Sequence, residues 1–154
     1  HIDFNKEKNE LKTKNWIISG INKELLENIF EIVSKKDVSD FNFFKKKEFY
    51  DKINVLSPFG SGNPEPRFII ENLKPANSKI VGDKHIKSVL IGAEGTSIKT
   101  IAFNATDNEL GAYLLKKNNN TFNIAGKLSL NEWRGQKNVE FIIDDISVNK
   151  NMKN

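Results

Sequence analysis

The stretch "SIKTIAFNATDNELGAYLLKKNNNTFNIAGKLSLNEW", residues 97–133, changes its hydrophobic period twice. Apolar residues alternate over 97–104, follow a helical spacing over 106–117, and alternate again over 121–133. Alternation predicts a half-buried strand, whereas spacings of three and four residues predict an amphipathic helix. This stretch is therefore predicted to form a strand, a short helix and a second strand, in that order.

The predicted helix has a polar start and an apolar side. Thr106 or Asp107 is expected to cap it, because short oxygen-bearing side chains accept hydrogen bonds from the free amides of the first turn. Leu110, Leu114 and Leu115 form its apolar side.

Three more strands surround this stretch, and each shows the two-residue period of a strand. Before the central stretch we expect a strand over 67–81 that is interrupted near Pro75, a turn at Gly82–Asp83, a strand over 85–92 and a turn over 92–96. After it we expect a turn over 134–137 and a strand over 138–148. Three strands, one helix and a two-stranded hairpin follow the order of an OB-fold, a five-stranded Greek-key barrel.

The residues before the barrel predict a smaller annex. A strand is expected over 16–21 and two helices over 22–35 and 41–56, the second with Phe49, Ile53 and Leu56 on one face. The fold class is therefore mainly β with a helical annex (α+β). The expected divisions are a lead-in at 1–15, a strand and helical connector at 16–57, the OB barrel at 58–148 and a tail at 149–154.

Composition narrows the possible chemistry. The chain has 154 residues, a net charge of +4 and no cysteine, which excludes disulfides, thiol catalysis and cysteine-bound zinc. No run of 18 apolar residues is present, so no membrane contact is expected. The two histidines, His1 and His85, are not spaced as metal ligands, and the adjacent Asp144 and Asp145 are expected on opposite faces of a strand. This segment alone is not expected to be a catalyst or to hold a metal.

Nucleic-acid binding is favoured by cations and flat rings at the positions where OB barrels bind single strands, which are the second and third strands and two of the loops. The candidate binding residues are Lys84, His85, Lys87, Lys99, Lys127, Trp133, Arg134 and Lys137.

Each candidate also has an ordinary structural explanation. Trp133 can close the barrel end as a buried hydrophobe, which is the more frequent role, and Phe103 is expected in the core. Lys84, Lys87 and Lys99 can form a solvated face, and His85 can simply cap the hairpin. The sequence leaves these alternatives open.

Four motifs, in this order along the chain, resemble one family. They are "LSPFGSGNPEPRF" (56–68), "GDKHIK" (82–87), "IAFN" (101–104) and "LSLNEWRGQKNVEFIIDDI" (128–146). Together they resemble the C-terminal OB domain of RecJ, the single-stranded-DNA-specific exonuclease of bacteria. The resemblance runs from about Trp16 to Val148.

The resemblance implies a 5′→3′ exonuclease, a hydrolase of bacterial DNA repair and recombination that works in the cytoplasm. Its two divalent metals, Mn²⁺ or Mg²⁺, are implied in upstream DHH-type domains, whose Asp-His-His motif is absent from this sequence. The implied partners are single-stranded DNA, those upstream nuclease domains and single-stranded-DNA-binding protein. This segment is then the part that holds DNA, with no cofactor of its own.

The first motif contains a loop rich in proline and glycine. Its structural residues are Pro58, Gly60, Gly62, Asn63, Pro64 and Pro66. Proline fixes the backbone and restrains the residue before it, so a rigid loop is expected between the annex and the first barrel strand. We expect it to set how the barrel is oriented.

Other functional classes remain open at the level of sequence. The barrel can be an interaction module that docks on the upstream nuclease domains or on a partner protein and hardly touches DNA. A free-standing tRNA-binding OB domain suits the fold but not the proline and glycine motif. An autonomous nuclease has the least support.

Overall fold

The structure is a computed structural model that describes residues 3–5, 7, 10–12, 16–19, 47–54, 59, 65–92, 95–116 and 120–148. Its elements, in chain order, are β1 (Asp3–Asn5), β2 (Glu10–Lys12), β3 (Trp16–Ser19), α1 (Lys47–Asn54), β4 (Arg67–Val81), β5 (His85–Ile91), β6 (Ser97–Ala102), α2 (Glu109–Leu115), β7 (Phe122–Trp133) and β8 (Gln136–Val148).

The last five strands close into a barrel. Neighbouring strands follow the order β4, β5, β6, β8, β7, and β7 pairs again with β4 to complete the ring. All of these pairings are antiparallel except that of β6 with β8, which is parallel. With α2 between β6 and β7, this arrangement is the predicted OB-fold, and the fold class is confirmed.

Strand β4 belongs to both halves of the barrel. Its first part pairs with β7, from Phe68 opposite Gly126 to Leu73 opposite Phe122, and its second part pairs with β5. The register shifts between Ile70 and Leu73, and again between Pro75 and Asn77. Such irregularities bend a strand and increase its twist. The predicted interruption near Pro75 is therefore confirmed within one continuous strand.

A small extension continues the sheet beyond the barrel. β3 pairs with the first part of β4, β2 pairs with β3, and β1 pairs with β2, all antiparallel. Leu11 and Ile18 are completely buried in this extension. The lead-in expected at 1–15 therefore contains ordered strands, because Asp3–Asn5 and Glu10–Lys12 find strand partners there. The proposed domain divisions themselves stay a prediction.

The annex packs on the barrel through α1. Phe49 and Ile53 are buried on one face of this helix, as predicted, and the Phe49 ring meets the Phe68 ring edge-on with centroids 6.0 Å apart. The predicted helix at 22–35 lies outside the described residues, as do Leu56 and most of the loop motif (Pro58, Gly60, Gly62, Asn63 and Pro64); its last proline, Pro66, is buried. No described helix is long and apolar enough to cross a membrane.

Helix α2 begins later than the sequence predicts. Asn108 caps it, because its Oδ1 accepts a hydrogen bond of 3.1 Å from the Gly111 amide. Thr106 instead donates its hydroxyl to the Asp83 carbonyl, so Thr106 and Asp107 are not the cap. Leu114 is buried, but Leu115 is 41% exposed and does not belong to the packed side.

The β7–β8 hairpin turns on two residues rather than four. Trp133 pairs with Gln136, and Arg134 and Gly135 between them have φ angles of 51° and 78°. Positive φ at both central residues is typical of the tight turn that matches the twist of paired strands. The predicted turn over 134–137 is therefore shorter, which shifts the pairing of every residue near the tip.

Gly126 is the position at which two barrel strands approach too closely for a side chain. A Cβ atom there would lie 1.8 Å from the Ile142 carbonyl oxygen and 2.8 Å from the Phe141 ring. We expect Gly126→Ala to lower the free energy of unfolding by at least about 3 kcal/mol, because backbone must move to admit the methyl group. Urea denaturation measures this loss.

Gly135→Ala is the matched control. No atom lies within 4 Å of the added methyl group, so only the positive φ opposes the substitution. The free energy of unfolding should therefore fall by only about 1 kcal/mol. Equal losses in the two variants would contradict the close approach at Gly126.

Candidate nucleic-acid interface

One face of the barrel carries an open groove of about 570 Å³. Residues from all five barrel strands line it: Asn77, Lys79, Lys87, Ser88, Val89, Lys99, Thr100, Asn131, Trp133, Asn138 and Glu140. The groove therefore lies across β4, β5 and β6 and ends at the β7–β8 hairpin. This is the region in which OB barrels bind single strands.

Three lysines on neighbouring strands face this groove. Lys79 on β4 is directly opposite Lys87 on β5, so their side chains share a face. Lys99 on β6 pairs with Val89, which makes it a diagonal neighbour of Lys87. None of the three forms an ion pair with another described residue. Like charges directly opposite each other destabilise a sheet, so this cluster is costly for the fold.

An exposed aromatic ring lies at one end of the groove. Trp133 is 66% exposed, and the Arg134 guanidinium carbon lies 5.3 Å from its ring centroid. This is a cation–π contact, which holds the cation beside the ring. The barrel-closing role considered for Trp133 is wrong, because the tight turn carries its ring to the outside of the barrel. A solvent-exposed indole beside an arginine can stack on a nucleic-acid base.

Amide side chains and one carboxylate complete the lining. Asn131 and Asn138 are paired across the β7–β8 hairpin, and Asn77 lies opposite Val89 on the other side. Amides both donate and accept hydrogen bonds. Glu140 adds a negative charge on β8. The groove thus combines cations, one ring and hydrogen-bonding amides.

Lys84 and His85 lie at the turn between β4 and β5, beside the groove rather than in its lining. The Nδ1 atom of His85 accepts a hydrogen bond of 3.0 Å from the Asn104 amide, and its ring meets the Phe103 ring edge-on with centroids 5.2 Å apart. Phe103 is 50% exposed, so the expectation that it belongs to the core is wrong. It follows the last residue of β6, where no neighbouring described strand covers it.

Two predicted residues lie away from the groove. Lys127 is paired with Glu65 at 3.3 Å and is six residues from Trp133 along β7, a separation of about 20 Å. Lys137 is opposite Glu132, whereas the groove-lining residues of this hairpin belong to the alternate pairs. Lys137 therefore belongs to the other face. The groove contains Lys87, Lys99 and Trp133 of the predicted set, and Arg134 contacts it through Trp133.

Lys79 is the groove cation that sequence reasoning missed. The sequence did contain an indication of it: the Gly82–Asp83 turn centres a hairpin in which Val81 pairs with His85, and two residues further back Lys79 meets Lys87. Asn77, Asn138 and Glu140 were missed for a different reason. Their place in the groove depends on how the barrel closes, which local pattern does not reveal.

The adjacent carboxylates of Asp144 and Asp145 have separate hydrogen-bond partners. Asp144 accepts a bidentate pair of hydrogen bonds from Arg67, at 2.8 and 2.6 Å, and Asp145 accepts one from the Ile146 amide. Asp144 is also the extra residue of a bulge opposite Ala125 and Gly126. Over the described ranges, no group of three or more potential ligands could hold a metal ion.

A five-stranded barrel with this strand order and with a helix between its third and fourth strands defines an OB-fold domain. A family model described as the RecJ OB domain matches residues 40–145, which is more than half of the chain. The chain therefore belongs to the RecJ OB domain family, and the predicted resemblance is confirmed.

The chain is similar to two longer proteins. It is 29% identical over 101 residues to the single-stranded-DNA-specific exonuclease RecJ of Bacillus subtilis (strain 168), covering 64% of this chain and 12% of that protein. It is 25% identical to RecJ of Thermus thermophilus, whose crystal structure is a complex with Mn²⁺. That match has a TM-score of 0.50 and covers 66% of this chain and 14% of the other. The chain thus spans about an eighth of the relatives it matches.

The exposure of Trp133 predicts that it contributes little to stability. We expect Trp133→Ala to change the free energy of unfolding by no more than about 0.5 kcal/mol, since surface substitutions rarely do more. The control Phe141→Ala removes a completely buried ring of the same barrel. This variant should lower the free energy of unfolding by about 3–5 kcal/mol. Thermal or urea denaturation compares them; a large loss in Trp133→Ala would restore the barrel-closing role.

Proposed function

We propose that this chain binds single-stranded DNA along the groove over β4, β5 and β6. It would serve as the DNA-holding part of a RecJ-type 5′→3′ exonuclease of bacterial DNA repair and recombination. Phosphates would lie along Lys79, Lys87 and Lys99, and a base would stack on Trp133. Membership of the RecJ OB domain family and the single-stranded-DNA specificity of the Bacillus subtilis relative support this assignment.

One observation carries the proposal: three lysines without ion-pair partners among the described residues share one groove with an exposed indole. Single-strand binding requires cations that follow the phosphates and flat rings on which bases stack. Among the described lining residues, Glu140 is the one carboxylate and lies beside Lys99 on the neighbouring strand, so positive charge still exceeds negative charge in the groove. The repulsion between Lys79 and Lys87 is relieved when phosphate binds between them.

The nuclease chemistry is proposed to occur in other domains of the parent protein. By the resemblance to RecJ, we place the Mn²⁺ or Mg²⁺ in upstream DHH-type domains rather than in this segment. The partners would then be the DNA strand and those domains, with single-stranded-DNA-binding protein as a further one, in the bacterial cytoplasm. A barrel that only docks on the nuclease domains is the competing function.

Binding by this chain should be weak and sensitive to salt. Three phosphate contacts predict a slope of log K against log salt of about −2, because each contact releases condensed cations. The affinity for an oligonucleotide such as dT15 should then fall about 20-fold between about 50 and 200 mM salt. Fluorescence anisotropy measures this slope. An affinity that does not change with salt concentration, or an equal affinity for duplex DNA of the same length, would contradict binding in the groove.

Lys79→Glu should raise the stability of the barrel and lower its affinity for single-stranded DNA. The new carboxylate would face Lys87 and replace repulsion with attraction, so the free energy of unfolding should rise by about 0.2–1 kcal/mol. The affinity for dT15 should fall about 10- to 30-fold, because one phosphate attraction is lost and one repulsion is gained, each of about 1 kcal/mol.

Lys12→Glu is the matched control, since it makes the same charge change at an exposed position of β2, outside the barrel. It should leave the affinity within about twofold at about 100 mM salt, where charges beyond about 10 Å are screened. Equal losses in both variants would indicate a response to net charge alone. Unchanged binding in Lys79→Glu would favour the docking function.

A further inference from the structure

The outer face of the barrel continues past the groove to a second exposed ring. On β6, Lys99 and Ile101 point outward, and Phe103 is the next residue of this alternating set. Ile86 pairs with Ala102, so the neighbouring residues His85 and Phe103 lie side by side, with ring centroids 5.2 Å apart. Phe103 therefore lies on the same face as Lys99, about 13 Å further along the strand direction.

Three hydrogen bonds fix the backbone around Phe103 to the β4–β5 turn. The Asn104 amide donates to His85 Nδ1 at 3.0 Å, the Ala105 amide donates to the Lys84 carbonyl at 2.8 Å, and the Thr106 hydroxyl donates to the Asp83 carbonyl at 3.3 Å. Asn104 itself has a φ of 52°. Asparagine tolerates this left-handed conformation better than most residues. The segment that follows Phe103 is thus fixed against the β4–β5 turn.

This arrangement is unusual for an incidental surface phenylalanine. Half of the side chain is exposed, yet its ring is in edge-to-face contact with His85 and the backbone of the next two residues is hydrogen-bonded to the β4–β5 turn. Cationic Lys84 belongs to the same turn. A ring that is already held in place loses little conformational freedom when a flat ligand stacks on it, which favours binding.

We propose that Phe103 is a second stacking platform for a base of the same single strand, and that His85 is its positioning residue. The inference rests on the proposed function and extends its footprint. A strand would run from Trp133 at the β7–β8 hairpin, over the three lysines, to Phe103 at the β4–β5 turn. His85 then acts through the ring and through Asn104, rather than by touching DNA.

The test compares Phe103→Ala with the unaltered chain on two strands of equal length, dT15 and its counterpart without bases. Stacking is worth about 1–3 kcal/mol for each base, so Phe103→Ala should bind dT15 about 5- to 150-fold more weakly. On the abasic strand the two proteins should bind equally, because the phosphates are unchanged. Phe103→Trp should retain the affinity for dT15, and its tryptophan fluorescence should be quenched more strongly on binding than that of the unaltered chain, in which Trp133 is the indole proposed to stack.

Leu115→Ala is the matched control, since it also removes an exposed apolar side chain, from α2. It should leave both affinities unchanged. Unaltered dT15 binding in Phe103→Ala, or an equal loss on the abasic strand, would overturn the second platform while leaving the groove intact. If the unaltered chain itself does not bind dT15, the proposed function fails first, so the two failures are distinguishable.

The role of His85 is tested by a double-mutant cycle on dT15. His85→Ala should weaken binding in the unaltered chain but have no further effect in Phe103→Ala, because a positioning residue acts only through the ring. Equal effects in both backgrounds would show that His85 contacts the strand by itself.

Discussion

The architecture depends on strand β4, which pairs with two other barrel strands at once as well as with β3. Its first part pairs with β7 and its second part with β5, and two register irregularities between Ile70 and Asn77 turn the strand from one partner to the other. Closure also requires β7 to approach β8 so closely that only Gly126 fits beside the Ile142 carbonyl. Because side chains alternate along a strand, this closure decides which residues reach the groove.

The groove shows a conflict between stability and the proposed function. A sheet is more stable with opposite charges across paired strands, yet Lys79 and Lys87 face each other. The barrel tolerates this because its stability comes from the buried face, where Phe68, Phe141 and Ile86 are almost completely excluded from water. Such a cost is typical of sites where binding, rather than folding, determines the residue.

Local pattern predicted the elements well and the faces less well. Alternation identified all five barrel strands, because each has one buried face. Turn length decides which residues near the hairpin tip belong to the strands. The turn is two residues shorter than expected, so Lys137 is a strand residue opposite Glu132, away from the groove. The exposure of Trp133 and Phe103 depends on which neighbours cover them. That information is tertiary, and a single sequence does not contain it.

The geometry of the outer face also bears on the form of nucleic acid. Trp133 and the proposed platform at Phe103 are useful only to bases whose flat faces are accessible, whereas a duplex keeps its bases stacked on one another. A duplex could use the three lysines but neither ring, so stacking would add about 1–3 kcal/mol per base for a single strand alone. The proposed preference for unpaired DNA would then arise from the two exposed rings, and the lysines would set affinity without selecting the strand form.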